Sequence, residues 1–242
     1  MDLTELKNRI CSCFTGSGGE LDILLKMVDD DRSIYPFNDY EHLICNLIEN
    51  NGLTFEQYLE IRSEYISQNP NLWIFEISAP RGFGEKFAQT YIHGKCEALK
   101  SPSKKLDANY SGQYDMWLDG IKIEVKASRA VASGSDEPLY IKALSRSSPF
   151  PFLMNFQQLK PQCCDVFIWV AVFRDQIVLW VMNSSEVQIN PLYSKGQHRG
   201  NSGNEGQLHV NHDNIHLLNK YELKDGDLGQ LIRSAATRKL TT

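Results

Sequence analysis

Residues 113–129, QYDMWLDGIKIEVKASR, constrain the fold more than any other stretch of the chain. Asp119-Gly120 is a two-residue hairpin signal, because a type I′ turn needs positive φ at both central positions. Alternating runs flank it, YDMWL before and IKIEVKA after. Closing the turn there pairs Leu118 with Ile121, Trp117 with Lys122, Met116 with Ile123 and Asp115 with Glu124. Side chains alternate along a strand, so Met116, Leu118, Ile121, Ile123, Val125 and Ala127 share one apolar face that needs a core. Asp115, Trp117, Lys122, Glu124 and Lys126 share the other.

Opposed residues place their Cβ atoms roughly 4.5–5.5 Å apart, and like charges so placed destabilise a sheet. Asp115 against Glu124 is therefore a poor choice for a hairpin shaped by stability alone. A divalent cation turns that repulsion into ligation, and Mg²⁺ takes one or two carboxylates together with waters and substrate phosphate oxygens. Lys126, on the same face, is placed to hold an attacking water or a developing negative charge. An amphipathic hairpin with a solvated charged face is the structural alternative.

Asp115, a gap of eight residues and then Glu124-Val125-Lys126 resemble the PD-(D/E)xK motif of a nuclease superfamily that includes the type II restriction endonucleases. Tyr114 stands where the motif's name has proline. The resemblance spans residues 82 to about 181 and implies an α/β restriction-endonuclease-like core, a mixed central sheet flanked by helices. It implies that Asp115 and Glu124 bind Mg²⁺ with help from the Val125 carbonyl, and that Lys126 assists the nucleophilic water. An acid from the helix before the hairpin often completes such sites, which makes Glu85 a third acidic candidate. The implied activity is sequence-specific, Mg²⁺-dependent hydrolysis of phosphodiester bonds in double-stranded DNA, leaving 5′-phosphate and 3′-hydroxyl ends. A palindromic target implies a homodimer. A restriction enzyme also implies a cognate DNA methyltransferase in the same system, without direct contact. Two alternatives stay open: a repair or structure-specific nuclease on the same core, and a noncatalytic DNA-binding module.

The net charge of −5 argues against a nonspecific nucleic-acid binder, which needs an overall basic face, but not against a cleft with local positive potential. Local basic groups include Lys142 with Arg146, and Lys195 with His198 and Arg199. No apolar run approaches the roughly 20 residues of a membrane span, and the polar start MDLTELKNR is no signal peptide. The six cysteines form no zinc-ligand array, which suits reduced thiols in the cytoplasm.

Three segments follow from composition and periodicity. Residues 1–78 predict a helical subdomain for dimerisation or DNA contact. Its helices open at Asp2-x-x-Glu5, Asn38-x-x-Glu41 and Thr54-x-x-Gln57, with a further helix over 21–28 and a short strand over 73–77. Residues 79–190 predict the nuclease core. It begins with a helix over 83–99, and after the hairpin come a loop over 130–137 and a strand over 139–144. A helix over 154–159, ended by Pro161, brings Gln157 and Gln158 near the site. The runs VFIWVAVF and IVLWVM follow, as strands buried on both faces. Residues 191–242 predict a C-terminal loop and a helix near 228–236. The DNA-contact candidates are Gln158, Lys142 and Arg146, with His198, Arg199, Asn201, Asn204 and Gln207 from the loop. Arg suits guanine, and Asn or Gln suits adenine, in the major groove.

Overall fold

A computed structural model describes residues 3–13, 40–80, 82–196 and 205–238, apart from the side chains of residues 3, 41, 42 and 85. The chain forms two compact units, Met1–Glu76 and Ile77–Thr242.

The first unit contains the helices Leu3–Ser12, Glu41–Glu49 and Phe55–Gln68. Leu6, Ile10, Leu43, Leu47, Ile61 and Tyr65 recur at helical spacing and are buried together in one core. Thr54 caps the third helix: its hydroxyl accepts from the Gln57 N–H while the Gln57 side chain accepts from the Thr54 N–H. The second helix starts after Tyr40. Asn38 and residues 21–28 lie outside the described residues. The strand expected over 73–77 is instead a 3₁₀ turn, Leu72–Glu76. The consecutive residues Ile74 and Phe75 are both buried, which an alternating one-sided strand does not allow.

The second unit is mixed α/β. Its first sheet has the order β1-β2-β5-β6, with β1 Met116–Leu118, β2 Ile121–Arg129, β5 Val166–Val172 and β6 Ile177–Asn183. β2 and β5 run parallel, and the two outer pairings are antiparallel. A second sheet, wholly antiparallel, has the order β3-β4-β8-β7. Its strands are β3 Val131–Ala132, β4 Phe152–Leu159, β7 Tyr193–Lys195 and β8 Gly206–Asn211. The core lies between the sheets: Phe167, Trp169 and Ala171 of β5 are buried with Phe152, Met154 and Phe156 of β4 and Leu208 and Val210 of β8. Phe156 meets Trp169 edge to face at 5.2 Å. Helix Leu228–Thr237 packs against β5 and β6, and the π-helical turn Gly82–Ala88 packs against β2.

Several expectations change. One mixed sheet becomes a mixed sheet plus an antiparallel one. Residues 154–159 are the end of a strand, not a helix: Phe152, Met154 and Phe156 are buried while Leu153 and Gln157 are exposed. The expected strand over 139–144 is a series of turns with one bridge at Ala143. The expected loop over 130–137 opens with β3. Residues 191–242 belong to the same compact unit as the hairpin, and β7 and β8 replace most of the described part of the expected loop. The helix over 83–99 divides into the π turn and the α-helix Gln89–Lys95. Among the described residues, no helix is long and apolar enough to cross a membrane.

Candidate active site

The hairpin closes where the Asp-Gly pair places it. Asp119 has φ 50° and Gly120 φ 92°, and Leu118, Trp117 and Met116 pair with Ile121, Lys122 and Ile123. Met116, Leu118, Ile123 and Val125 are buried. The ladder ends at Met116, so Asp115 and Glu124 do not form the fourth regular pair. Asp115 instead donates its backbone N–H to the Ile123 carbonyl at 2.9 Å. Its carboxylate Oδ2 accepts from the Val125 N–H at 2.9 Å, and its Oδ1 accepts from Gln89 Nε2 at 2.8 Å. The turn of the chain still brings the two acids into one groove, close enough for Asp115 to disfavour the charged form of Glu124.

Glu124 is largely buried, and Lys126 Nζ pairs with its Oε1 at 2.7 Å. Burial, which penalises the charged form, pushes the Glu124 carboxyl up to about 7; the Lys126 ammonium opposes the shift, and Asp115 adds to it through like charge and a hydrogen bond. A carboxylate so destabilised beside a second one fits a divalent cation, which replaces the missing positive charge. Asp115, Glu124 and the Val125 carbonyl are the oxygen donors available there, the chemistry that Mg²⁺ takes. Among the described residues, no three His, Cys, Asp or Glu side chains converge.

These groups open into a groove of about 850 Å³. One wall comes from the segment before the hairpin, with Phe83, Gly84 and Gln89, and another from β4, with Leu153, Asn155, Gln157 and Gln158. Arg129 lines it too, its guanidinium 4.1 Å from the centre of the Phe83 ring and its Nη1 donating to the Ile77 carbonyl at 2.7 Å. Gln158 has φ 57°, a left-handed conformation that non-glycine residues seldom adopt. It sits in the bulge between Phe156 and Leu159, where β4 slips against β8. Bulges beside active sites re-aim side chains, and this one leaves Gln157 and Gln158 both lining the groove.

The groove therefore joins Asp115, Glu124, Val125, Lys126 and Gln158 from among the candidates. Other candidates lie elsewhere. Arg146 forms a two-pronged ion pair with Glu222 at 2.9 and 2.8 Å, and Lys142 donates to the Ser135 carbonyl at 3.0 Å. Gln207 is buried on β8. Glu85 falls in the π turn, with its side chain outside the described residues, and His198, Arg199, Asn201 and Asn204 also lie outside them. Gln89 and Asn155 were not foreseen. Gln89 is 26 positions from the acid it holds, so no local spacing marks it; Asn155 was hidden by the helical reading of β4. In comparison with known proteins, the chain matches no family model and no curated protein.

Proposed function

We propose that the second unit is a Mg²⁺-dependent endonuclease for double-stranded DNA with a restriction-endonuclease-like core, acting as a sequence-specific type II restriction enzyme. The observation that carries this is the meeting of Asp115, Glu124 and Lys126 in one groove, with Glu124 buried and its carboxyl raised by burial and by Asp115. A hairpin with a merely solvated charged face has no reason to bury a carboxylate beside another. The resemblance of Asp115 and Glu124-Val125-Lys126 to the PD-(D/E)xK motif supports the same reading.

Asp115, Glu124 and the Val125 carbonyl would hold Mg²⁺, which when bound supplies positive charge for the phosphate in the transition state. Asp115 is kept in place by the Val125 N–H and the Gln89 amide. Lys126 reaches into the groove and orients the water that attacks phosphorus. As that bond forms, the bond to the 3′-oxygen breaks, the water's proton leaves to solvent and the 3′-oxygen takes one up. The products are a 5′-phosphate and a 3′-hydroxyl. Gln157 and Gln158 line the same groove and would serve as donors and acceptors for the bound strand. A palindromic target requires two such sites, hence a symmetric dimer, and a partner methyltransferase would protect the host's own copies of the target.

Digestion of a long, defined duplex DNA by the full chain, with Mg²⁺ and with EDTA, tests the reading. Sharp bands that need Mg²⁺ are expected. A smear or simple nicking points instead to a repair or structure-specific nuclease. No cleavage of methylated or unmethylated DNA overturns the catalytic reading and leaves a noncatalytic DNA-binding module.

A further inference from the structure

We propose that Gln89 is a positioning residue for Asp115: its amide fixes the carboxylate in the orientation that receives the cation, without neutralising it. The inference rests on the metal-site reading above. It starts from two hydrogen bonds. Gln89 Nε2 donates to Asp115 Oδ1 at 2.8 Å and the Val125 N–H donates to Oδ2 at 2.9 Å, one donor to each oxygen. An aspartate swings about two side-chain torsions, and two donors from separate elements remove that freedom. Each oxygen of an ionised carboxylate keeps a second lone pair for further ligation.

The choice of an amide matters. A lysine or arginine at position 89 would give a stronger, charge-assisted bond, but would cancel the negative charge that a cation needs. A neutral donor orients the group and leaves its charge intact. Gln89 is also rigidly held. It is the first residue of the helix Gln89–Lys95 and directly continues the π turn Gly82–Ala88, an uncommon geometry often met at functional sites. That turn is tied to the far end of β2 by Arg129, which lies over Phe83 and donates to the Ile77 carbonyl. One β-strand thus carries Glu124 and Lys126 and also supports the segment that holds Asp115.

The test is binding of Mn²⁺ alone, followed by electron paramagnetic resonance or calorimetry on the full chain without DNA. Wild type is expected to bind, and Glu124→Gln to lose binding. Gln89→Met keeps the length but cannot donate, and should weaken Mn²⁺ about tenfold, the lower end for a residue that supports a metal ligand. Gln89→Glu also cannot donate, yet brings a third carboxylate to the groove and should bind Mn²⁺ at least as tightly as wild type. A merely structural Gln89 predicts the same sign for both variants: lower melting temperatures, with unchanged affinity in the folded fraction. Wild-type binding with both variants within twofold of it overturns the role of Gln89 alone. Absence of Mn²⁺ binding by wild type overturns the metal-site reading, and this inference falls with it.

Discussion

The strand pairs β5–β6 and β1–β2 belong to the same sheet and treat side-chain burial in opposite ways. Every residue of β5 is buried, and in β6 the run from Val178 to Met182 is buried too. Trp169 and Trp180 face each other across the register. Nothing charged interrupts these two strands. The hairpin alternates instead, and its second face takes Glu124 and Lys126 into a partly closed groove beside Asp115. One pair gains stability from each side chain that it buries. The other holds a carboxylate where its charge is disfavoured, which makes this groove the candidate site for binding or chemistry.

Two substitutions test that contrast most sharply. Lys126→Ala should lower the rate of Mg²⁺-dependent DNA cleavage about a thousandfold, in the range for loss of a group that handles the reacting water, while the melting temperature moves by only a few degrees. Trp180→Ala, one strand further from the hairpin, should do the reverse, removing about 3–5 kcal/mol of stability by leaving a cavity in the core. Activity per folded molecule, measured below the melting transition, should persist. Cleavage kinetics beside thermal unfolding decide the matter. If Lys126→Ala unfolds the protein as Trp180→Ala does, the hairpin is structural and the contrast disappears.

Glu124 gives a smaller effect of unusual sign. In metal-free protein the folded state keeps the Glu124 proton up to about pH 7, whereas the unfolded chain releases it near 4.5. Between those values the unfolded state binds fewer protons, so this group lowers stability as pH rises through the window, and the loss levels off above it. Glu124→Gln removes the ionisation. The variant should match wild type near pH 4 and exceed it at pH 8 by about 3 kcal/mol, while losing DNA cleavage. Urea unfolding in EDTA at the two pH values measures this. A variant less stable than wild type at pH 8 would mean that the pair with Lys126 outweighs the burial of the charge.

The same physics explains what was legible in the sequence. The Asp-Gly turn needs only two residues, and its register follows from the alternation beside it; β5 and β6 announce themselves as unbroken apolar runs, and Thr54-x-x-Gln57 forms the box that its spacing predicts. These are short-range signals. β4 misled because its bulge breaks the period: the alternation of Phe152, Met154 and Phe156 gives way before Leu159, and the step of three from Phe156 to Leu159 imitates a helix face. Asp115 was expected in the ladder and lies just outside it, because its side chain captures the Val125 N–H. Gln89 depends on tertiary packing alone, so the acids and lysine that line the groove follow from local sequence while the amide that bonds Asp115 does not.

Gln158 supplies the finest test of the contrast between packing and function. Its φ of 57° places a side-chain-bearing residue in the left-handed region, at a cost of roughly 1–2 kcal/mol that glycine does not incur. A strand shaped by stability alone would carry glycine at such a bulge. Glutamine there makes sense if its amide, in the groove that also holds the carboxylates, contacts the bound strand. Gln158→Gly should therefore leave the protein slightly more stable, by about 0.5 kcal/mol once glycine's greater freedom in the unfolded chain offsets part of the relief. The KM for DNA should rise about tenfold, as expected for losing one amide contact to a base edge. Gln158→Ala separates the two contributions, because it loses the amide but keeps the strain: KM should rise equally, without the gain in stability. If both variants keep the wild-type KM, the left-handed glutamine belongs to the architecture of β4, and the substrate contacts lie elsewhere in the groove.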